Sequence, residues 1–158
     1  PSTFPYPSQT GNTPMQTAAC FGNVACLQTL ASHAGDTNTE NSHGLRPLHR
    51  AAIGGHLETV AMLAAHGADV DAVDRTGRTA LFYAAQQGHA QTVLHLAFRL
   101  RASAEKAAND GRLPADVATD EACAEALRMA AKGQTALYGP DLDAMSDPLW
   151  VQAVSHVG

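Results

Sequence analysis

The sequence predicts a mostly α-helical solenoid of stacked helix–turn–helix units, and two observations lead to this fold class. One pattern of eleven residues occurs at positions 46–56 and returns 33 positions earlier, at 13–23, and 33 positions later, at 79–89. A turn glycine keeps the same step in all three copies, at Gly11, Gly44 and Gly77. A period of this length held across three copies is the sequence signature of a repeat array.

Each copy predicts a turn followed by two short helices. In the second copy Gly44 supplies a positive φ at the turn, Pro47 suits the first helical position, and Gly55 ends the first helix as a left-handed cap. A second helix follows, because three apolar residues recur at helical spacing: Leu57, Val60 and Leu63. Neither helix can bury its apolar side alone, so each unit must be stabilised by stacking on its neighbours.

Four repeats cover most of the chain, with a different kind of segment at each end. Residues 1–8 are predicted to be an extended lead-in, since they hold three prolines and two aromatic residues. The array covers 8–132 in four units, at about 8–40, 41–73, 74–107 and 108–132. The fourth unit is shortened and polar, which is typical of a terminal repeat. Residues 133–158 form an extension with a predicted short helix at 148–157.

The passage from the third repeat to the fourth departs from the period. Gly111 follows Gly77 by 34 residues instead of 33, and residues 98–107 contain no glycine where a helix cap is expected. We expect the extra residue to be absorbed there, either by a longer second helix or by a widened loop.

The repeated unit resembles the ankyrin repeat in many positions of the second copy. The matching residues are Pro47-Leu48-His49, Ala51-Ala52, Gly55-His56, Gly67-Ala68-Asp69, Asp74 and Gly77. The resemblance covers roughly residues 8–130. It implies an ankyrin-repeat solenoid with short turn or hairpin connections and a role as a non-catalytic scaffold for protein binding.

Composition and charge argue against several other classes of protein. The chain has 10 Lys and Arg against 15 Asp and Glu, so a broad nucleic-acid-binding surface is not expected. No apolar run approaches the roughly 20 residues of a membrane span, so direct membrane insertion is not expected either. The odd number of cysteines, three, favours a reducing compartment, so we expect an intracellular, cytoplasmic protein, with the nucleus as the alternative.

The sequence predicts no catalytic, metal or cofactor site. It has no His-Glu-x-x-His motif, no paired Cys-x-x-Cys motif and no glycine-rich loop that would hold a phosphate. The resemblance implies structural hydrogen bonds for the histidines that occupy repeat positions, namely His49, His56 and His89. We therefore do not expect an enzyme.

Partner-binding residues are expected on the turns and on the exposed side of the first helices, as the resemblance implies. By register, the candidates are Phe21, His43, Leu45, Arg46, Ile53, Arg75, Arg78, Gln86, Gln87 and Arg112. The four arginines are expected to form a row that suits an acidic segment of another protein. Leu45 and Ile53 would provide an apolar anchor beside the row. The alternative is that the row is neutralised within the protein by Asp74, Asp110 and Asp116.

Three functions are consistent with the repeat pattern and the candidate binding residues. The first is a non-catalytic interaction module, monomeric alone, that binds an acidic or acidic-plus-apolar segment of a partner. The second is a regulatory or substrate-recruiting domain of a larger enzyme or membrane protein. The third is a stand-alone stoichiometric inhibitor, since the array is similar to the ankyrin-type inhibitors of cyclin-dependent kinases. The sequence names no partner, because one scaffold of this kind binds unrelated targets.

Overall fold

The computed structural model describes residues 11–33 and 36–132, and these residues form eight α-helices and no strand. The helices are α1 (Pro14–Cys20), α2 (Val24–Ser32), α3 (Pro47–Gly54), α4 (Leu57–Ala65), α5 (Ala80–Gln86), α6 (Ala90–Leu94), α7 (Pro114–Val117) and α8 (Glu121–Ala131). A π-helical turn, His95–Arg99, continues α6. The predicted lead-in at 1–8 and the predicted helix at 148–157 lie outside the described residues.

The helices form two layers, which confirms the predicted solenoid. The first helices of successive repeats, α1, α3, α5 and α7, pack side by side. The second helices, α2, α4, α6 and α8, form the other layer, and each contacts the first helix of its own repeat. The fourth repeat is shortened in its first helix alone, since α7 has four residues whereas α8 has eleven.

Local signals in the sequence explain where the first helices begin and end. Proline stands in the first turn of α1, α3 and α7, where its missing N–H group costs nothing. The hydroxyl of Thr13 accepts a hydrogen bond from Gln16 N at 3.2 Å, and Thr79 caps Phe82 N at the same distance. Gly55 ends α3 with a φ of 70°, so the predicted left-handed cap is confirmed.

Small and branched apolar residues fill the core between the two layers. An alanine pair is buried at the same point of the first helix in each of the first three repeats: Ala18–Ala19, Ala51–Ala52 and Ala84–Ala85. These small side chains allow neighbouring helices to approach closely. The second helices contribute three fully buried residues at one repeat position, Leu27, Val60 and Val93. Of the apolar stripe predicted for the second helix of the second repeat, Val60 and Leu63 are fully buried, whereas Leu57 is half-buried.

The π-helical turn contains the extra residue of the third repeat. In the second repeat Ala68 N donates to Leu63 O at 3.0 Å, and in the third Ala102 N donates to Leu96 O at 2.8 Å. Leu96 follows Leu63 by 33 positions, whereas Ala102 follows Ala68 by 34. The insertion therefore falls between Leu96 and Ala102, and helical structure continues through Arg99. Of the two expectations, the longer second helix is confirmed.

A left-handed arginine follows this turn. Arg101 has a φ of 57° and is the one non-glycine with a positive φ among the described residues. It takes the place of Gly67, whose φ is 90° in the preceding repeat. The missing glycine is thus not replaced by another kind of cap, because Arg101 itself adopts the conformation that favours glycine.

Candidate functional site

Within the described residues, three turns of five residues lie along the array, at positions 41–45, 74–78 and 108–112. Each is closed by two backbone hydrogen bonds. In the second turn Asp74 N donates to Arg78 O, and Gly77 N donates to Asp74 O, both at 3.1 Å. Gly77 has a φ of 76°, which only glycine adopts without strain. We call residues 42–43, 75–76 and 109–110 the turn tips.

Hydrogen bonds join each turn tip to the next. Arg75 N donates to His43 O at 3.2 Å, so the first tip is joined to the second. Asn109 N donates to Thr76 O at 2.9 Å, and the Asn109 side-chain amide donates to Arg75 O at 3.0 Å. The three tips therefore form one continuous row with a backbone that is already ordered.

A buried carboxylate organises the middle turn. Asp74 accepts hydrogen bonds from Thr76 N at 2.9 Å, from the Thr76 hydroxyl at 2.6 Å and from Arg78 N at 3.0 Å. The Tyr83 hydroxyl donates a fourth bond to it. Burial alone would raise the pKa of Asp74, but these bonds favour the carboxylate and lower its pKa overall. The pKa of Tyr83 is raised by burial and by its bond to Asp74.

Two of the four predicted arginines are paired within the protein. Arg46 forms an ion pair with Glu40 at 3.0 Å, and its guanidinium also donates to Asn38 at 3.3 Å. Arg112 contacts the carboxylate of Asp110 through Nη2 at 2.6 Å and through Nε at 2.8 Å. The alternative of internal neutralisation therefore applies to Arg112, while the partner of Arg46 is a glutamate that the alternative did not include.

The other two arginines differ from each other in exposure. The Arg78 guanidinium lies 5.1 Å from the ring centre of Phe82 and 5.9 Å from that of Tyr83, in a half-buried position. Arg75 is exposed on the middle turn tip. Among residues 11–33 and 36–132, no carboxylate lies within ion-pair distance of Arg75. The predicted row of arginines therefore offers one unpaired, exposed guanidinium.

The apolar and amide candidates are spread over the array. Leu45 and Ile53, the expected apolar anchor, are only partly exposed. Phe21 is 75% exposed and lies at the open end of the first repeat, away from the arginines of the later turns. His43 and Gln87 are exposed, and Gln86 is half-buried.

The repeat histidines are engaged in hydrogen bonds to backbone carbonyls. His56 Nε2 donates to Cys20 O and His89 Nε2 donates to Ile53 O, both at 2.9 Å. Each ring lies against a glycine of the preceding repeat, where an added Cβ would come within 2.5 Å of it. The structural role implied for these histidines is confirmed. Within the described part of the chain, no group of three His, Cys, Asp or Glu residues is arranged to hold a metal.

A buried glutamine that sequence reasoning missed takes the place of a histidine. Gln16 Nε2 donates to Thr39 O and to Leu45 O, each at 2.7 Å. Gln16 precedes His49 by 33 positions, and His49 Nε2 contacts Ala72 O and Arg78 O at 3.0 and 3.1 Å. The period itself was the available signal, because it places Gln16 and His49 at one repeat position.

Comparison with known families decides the classification. The model for the ankyrin repeat matches residues 10–42, and the model for ankyrin repeats in many copies matches residues 48–97. The chain belongs to the ankyrin repeat family. A search of the curated proteins finds no match to it. Ankyrin repeats are in general protein–protein interaction modules and are typically non-catalytic.

No helix in the described parts of this ankyrin array is long and apolar enough to cross a membrane.

Proposed function

We propose that this ankyrin array binds another protein through its turn tips and the exposed side of its first helices, without catalysing a reaction. The row of tips supports this proposal, because hydrogen bonds between neighbouring tips hold the binding backbone in place before a partner arrives. A surface that is already ordered loses little conformational entropy on binding. Less of the free energy of binding is therefore spent on ordering this backbone.

We propose further that the partner presents an acidic segment, because Arg75 is available to bind a carboxylate. Arg75 is exposed at the centre of the row and has no ion-pair partner in the described residues. A carboxylate can dock there without breaking an existing contact, whereas at Arg46 or Arg112 it would have to displace Glu40 or Asp110. Arginine suits this task because its planar fork binds a carboxylate through two hydrogen bonds.

Charge reversal at Arg75 tests the proposal. A partner is first isolated with the full chain and purified, and its affinity is then measured by titration calorimetry at two salt concentrations. A hydrogen bond to a charged group contributes about 1.5–3 kcal/mol. We therefore expect Arg75→Glu to weaken binding by at least about tenfold and to reduce its salt dependence.

Lys132→Glu is the matched control, because it makes the same change in net charge at an exposed residue that directly follows α8 and lies outside the three turn tips. We expect it to bind like the wild type. Equal affinities for the two variants would overturn the role of Arg75. Arg78→Glu is unsuitable for this test, since it would remove a half-buried guanidinium from two aromatic rings and place a second carboxylate near Asp74.

The state of the cysteines supports an intracellular site of action. Cys20 and Cys26 are exposed free thiols, and Cys123 is a buried free thiol. Burial is the main reason that the pKa of Cys123 is raised to about 11, with Asp120 adding to the effect. Free exposed thiols persist in a reducing compartment, so we propose that the protein acts in the cytoplasm or the nucleus.

A further inference from the structure

An apolar groove lies at the open end of the array, on the outer side of the first repeat. Its volume is about 790 Å³, and it is lined by residues of α1, α2 and the turn between them, including Pro14, Ala18, Phe21, Ala25, Cys26 and Leu30. None of the described residues that line it is charged. Phe21 is the most exposed large apolar side chain in the described residues, at 75% against 38% for Val73.

The repeat register explains why this groove exists. In the later repeats the equivalent face packs on the repeat before it, and His56 and His89 lie against Gly22 and Gly55 across these contacts. The first repeat has Asn23 at the position of these histidines. Among the described residues no earlier unit covers its face. The groove is therefore a repeat-stacking surface that lacks its neighbour.

The other end of the array is built differently. The outer side of α8 carries Glu121, Glu125 and Arg128, and Arg128 forms ion pairs with both glutamates at 3.0 Å. Such a surface is well solvated and needs no cover. The apolar end is thus the one that gains free energy when something packs against it.

We propose that residues 1–8 of this chain dock in the groove and cover Phe21. This segment carries no charge and holds Phe4 and Tyr6 among three prolines, so its chemistry matches that of the groove. It lies outside the described residues and joins them at Gly11, three residues before Pro14 at the edge of the groove. The proposal gives the first repeat a cap from its own chain and removes Phe21 from the partner-binding set.

The length of the segment is sufficient for this docking. Phe4 lies seven positions before Gly11, and an extended chain spans about 25 Å over seven positions. Phe21 follows Pro14 by seven positions along α1, which corresponds to only about 10 Å. The short tether keeps the segment at an effective concentration in the millimolar range, and its prolines restrict the free segment, which reduces the entropy lost on docking. A second copy or a partner would have to compete with this tethered segment.

Thiol labelling of the full chain tests the proposal, because Cys26 lines the groove whereas Cys20 is exposed outside it. The rate of modification by a maleimide is measured at each cysteine by mass spectrometry. In the variant Phe4→Ser with Tyr6→Ser we expect Cys26 to react several-fold faster than in the wild type, while the rate at Cys20 stays the same. The control variant Ser2→Ala with Ser8→Ala should label like the wild type.

Three outcomes would overturn the proposal. The first is an equal rate at Cys26 in the wild type and in the Phe4→Ser, Tyr6→Ser variant. The second is protection of Cys26 that is lost on dilution together with a dimer in sedimentation, since a second copy would then fill the groove. The third is protection that arises only when a purified partner is added. Docking of the chain's own segment is supported if Cys26 is protected at all protein concentrations. This protection should be lost in Phe21→Ser to the same extent as in the Phe4→Ser, Tyr6→Ser variant.

Discussion

The position shared by Gln16, His49 and Phe82 shows how one site in the repeat accepts three kinds of side chain. Gln16 and His49 are buried, and each contacts two carbonyl groups of the next turn region, one just before the turn and one at its last residue. Phe82 is fully buried and contacts the ring of Tyr83 and the guanidinium of Arg78 there. His49 differs from the other two in being titratable. Its Nδ1 accepts a hydrogen bond from Arg46 N at 3.0 Å, so the neutral ring with a proton on Nε2 fits this site.

We predict that protonation of His49 destabilises the array in mild acid. Burial, the largest cause, lowers the pKa of His49 below 6.5, although the negative charge of Asp74 opposes this effect. Between that lowered pKa and 6.5 the unfolded chain binds a proton that the folded chain does not, so stability falls as the pH falls. The measurement is urea unfolding of the wild type at pH values from 7.5 to 5.

The control for this prediction is His49→Gln, for which Gln16 is the precedent within the same chain. The variant cannot titrate at this position, while the other acidic and basic groups remain. We expect the free energy of unfolding to fall more steeply with decreasing pH in the wild type than in the variant. Parallel curves for the two proteins would show that His49 does not contribute to the pH dependence.

At the level of the elements, the junction after α6 shows how the array accommodates one additional residue. The wider π-helical turn takes up the insertion inside the second helix, so the neighbouring helices α4 and α8 keep their packing partner. Beyond the turn, Ala102 is buried as Ala68 is one repeat earlier. The cost of this arrangement falls on Arg101, which must adopt a positive φ without being glycine.

We predict that Arg101→Gly stabilises the protein. A left-handed conformation costs a residue other than glycine about 1–2 kcal/mol, and this cost is partly offset by the greater flexibility of glycine in the unfolded chain. We therefore expect a net gain of about 0.5–1 kcal/mol in the free energy of unfolding by urea. Arg101→Ala is the control, because it removes the same exposed side chain and keeps the strain. An equal gain in both variants would assign the effect to the side chain instead.

At the level of the whole molecule, stability comes from contacts between neighbouring repeats. The first helices stack in one layer and the second helices in the other, so every internal repeat is packed on two sides. The buried residues of these contacts form one cluster that extends from Met15 in α1 to Leu127 in α8. Such an array is expected to unfold as one cooperative unit when the interfaces are strong.

We predict that Leu81→Ala weakens the whole array and not only its own repeat. Leu81 is fully buried in α5, and truncation of such a leucine costs about 2–5 kcal/mol. Native-state hydrogen exchange should show lower protection in α3 and α8 as well as in α5. Val73→Ala is the control, since this partly exposed residue should change stability by no more than about 0.5 kcal/mol. Lower protection confined to the third repeat would contradict a cooperative array.

The sequence by itself determined the features that depend on local signals and on the period. Proline and glycine set φ at helix ends and turns, and the step of 33 residues together with helical spacing assigns Ala51, Ala52, Val60 and Leu63 to the core, where all four are buried. These features are predictable because they depend on a residue's own backbone and on the spacing of its neighbours in the chain. The same pattern carries the resemblance to the ankyrin repeat, and that resemblance implied the structural histidines.

Only the tertiary structure decided which side chains remain available for binding. The sequence does not distinguish its four candidate arginines. In the structure Arg46 pairs with Glu40 and Arg112 pairs with Asp110. Arg78 stacks on aromatic rings, whereas Arg75 is exposed without an ion-pair partner in the described residues. Likewise, the groove beside Phe21 exists because two helices meet and no described neighbour covers them. The physical reason is that the partner of a side chain depends on rotamers and on groups that folding brings close from other parts of the chain, and a repeat period carries no information about either.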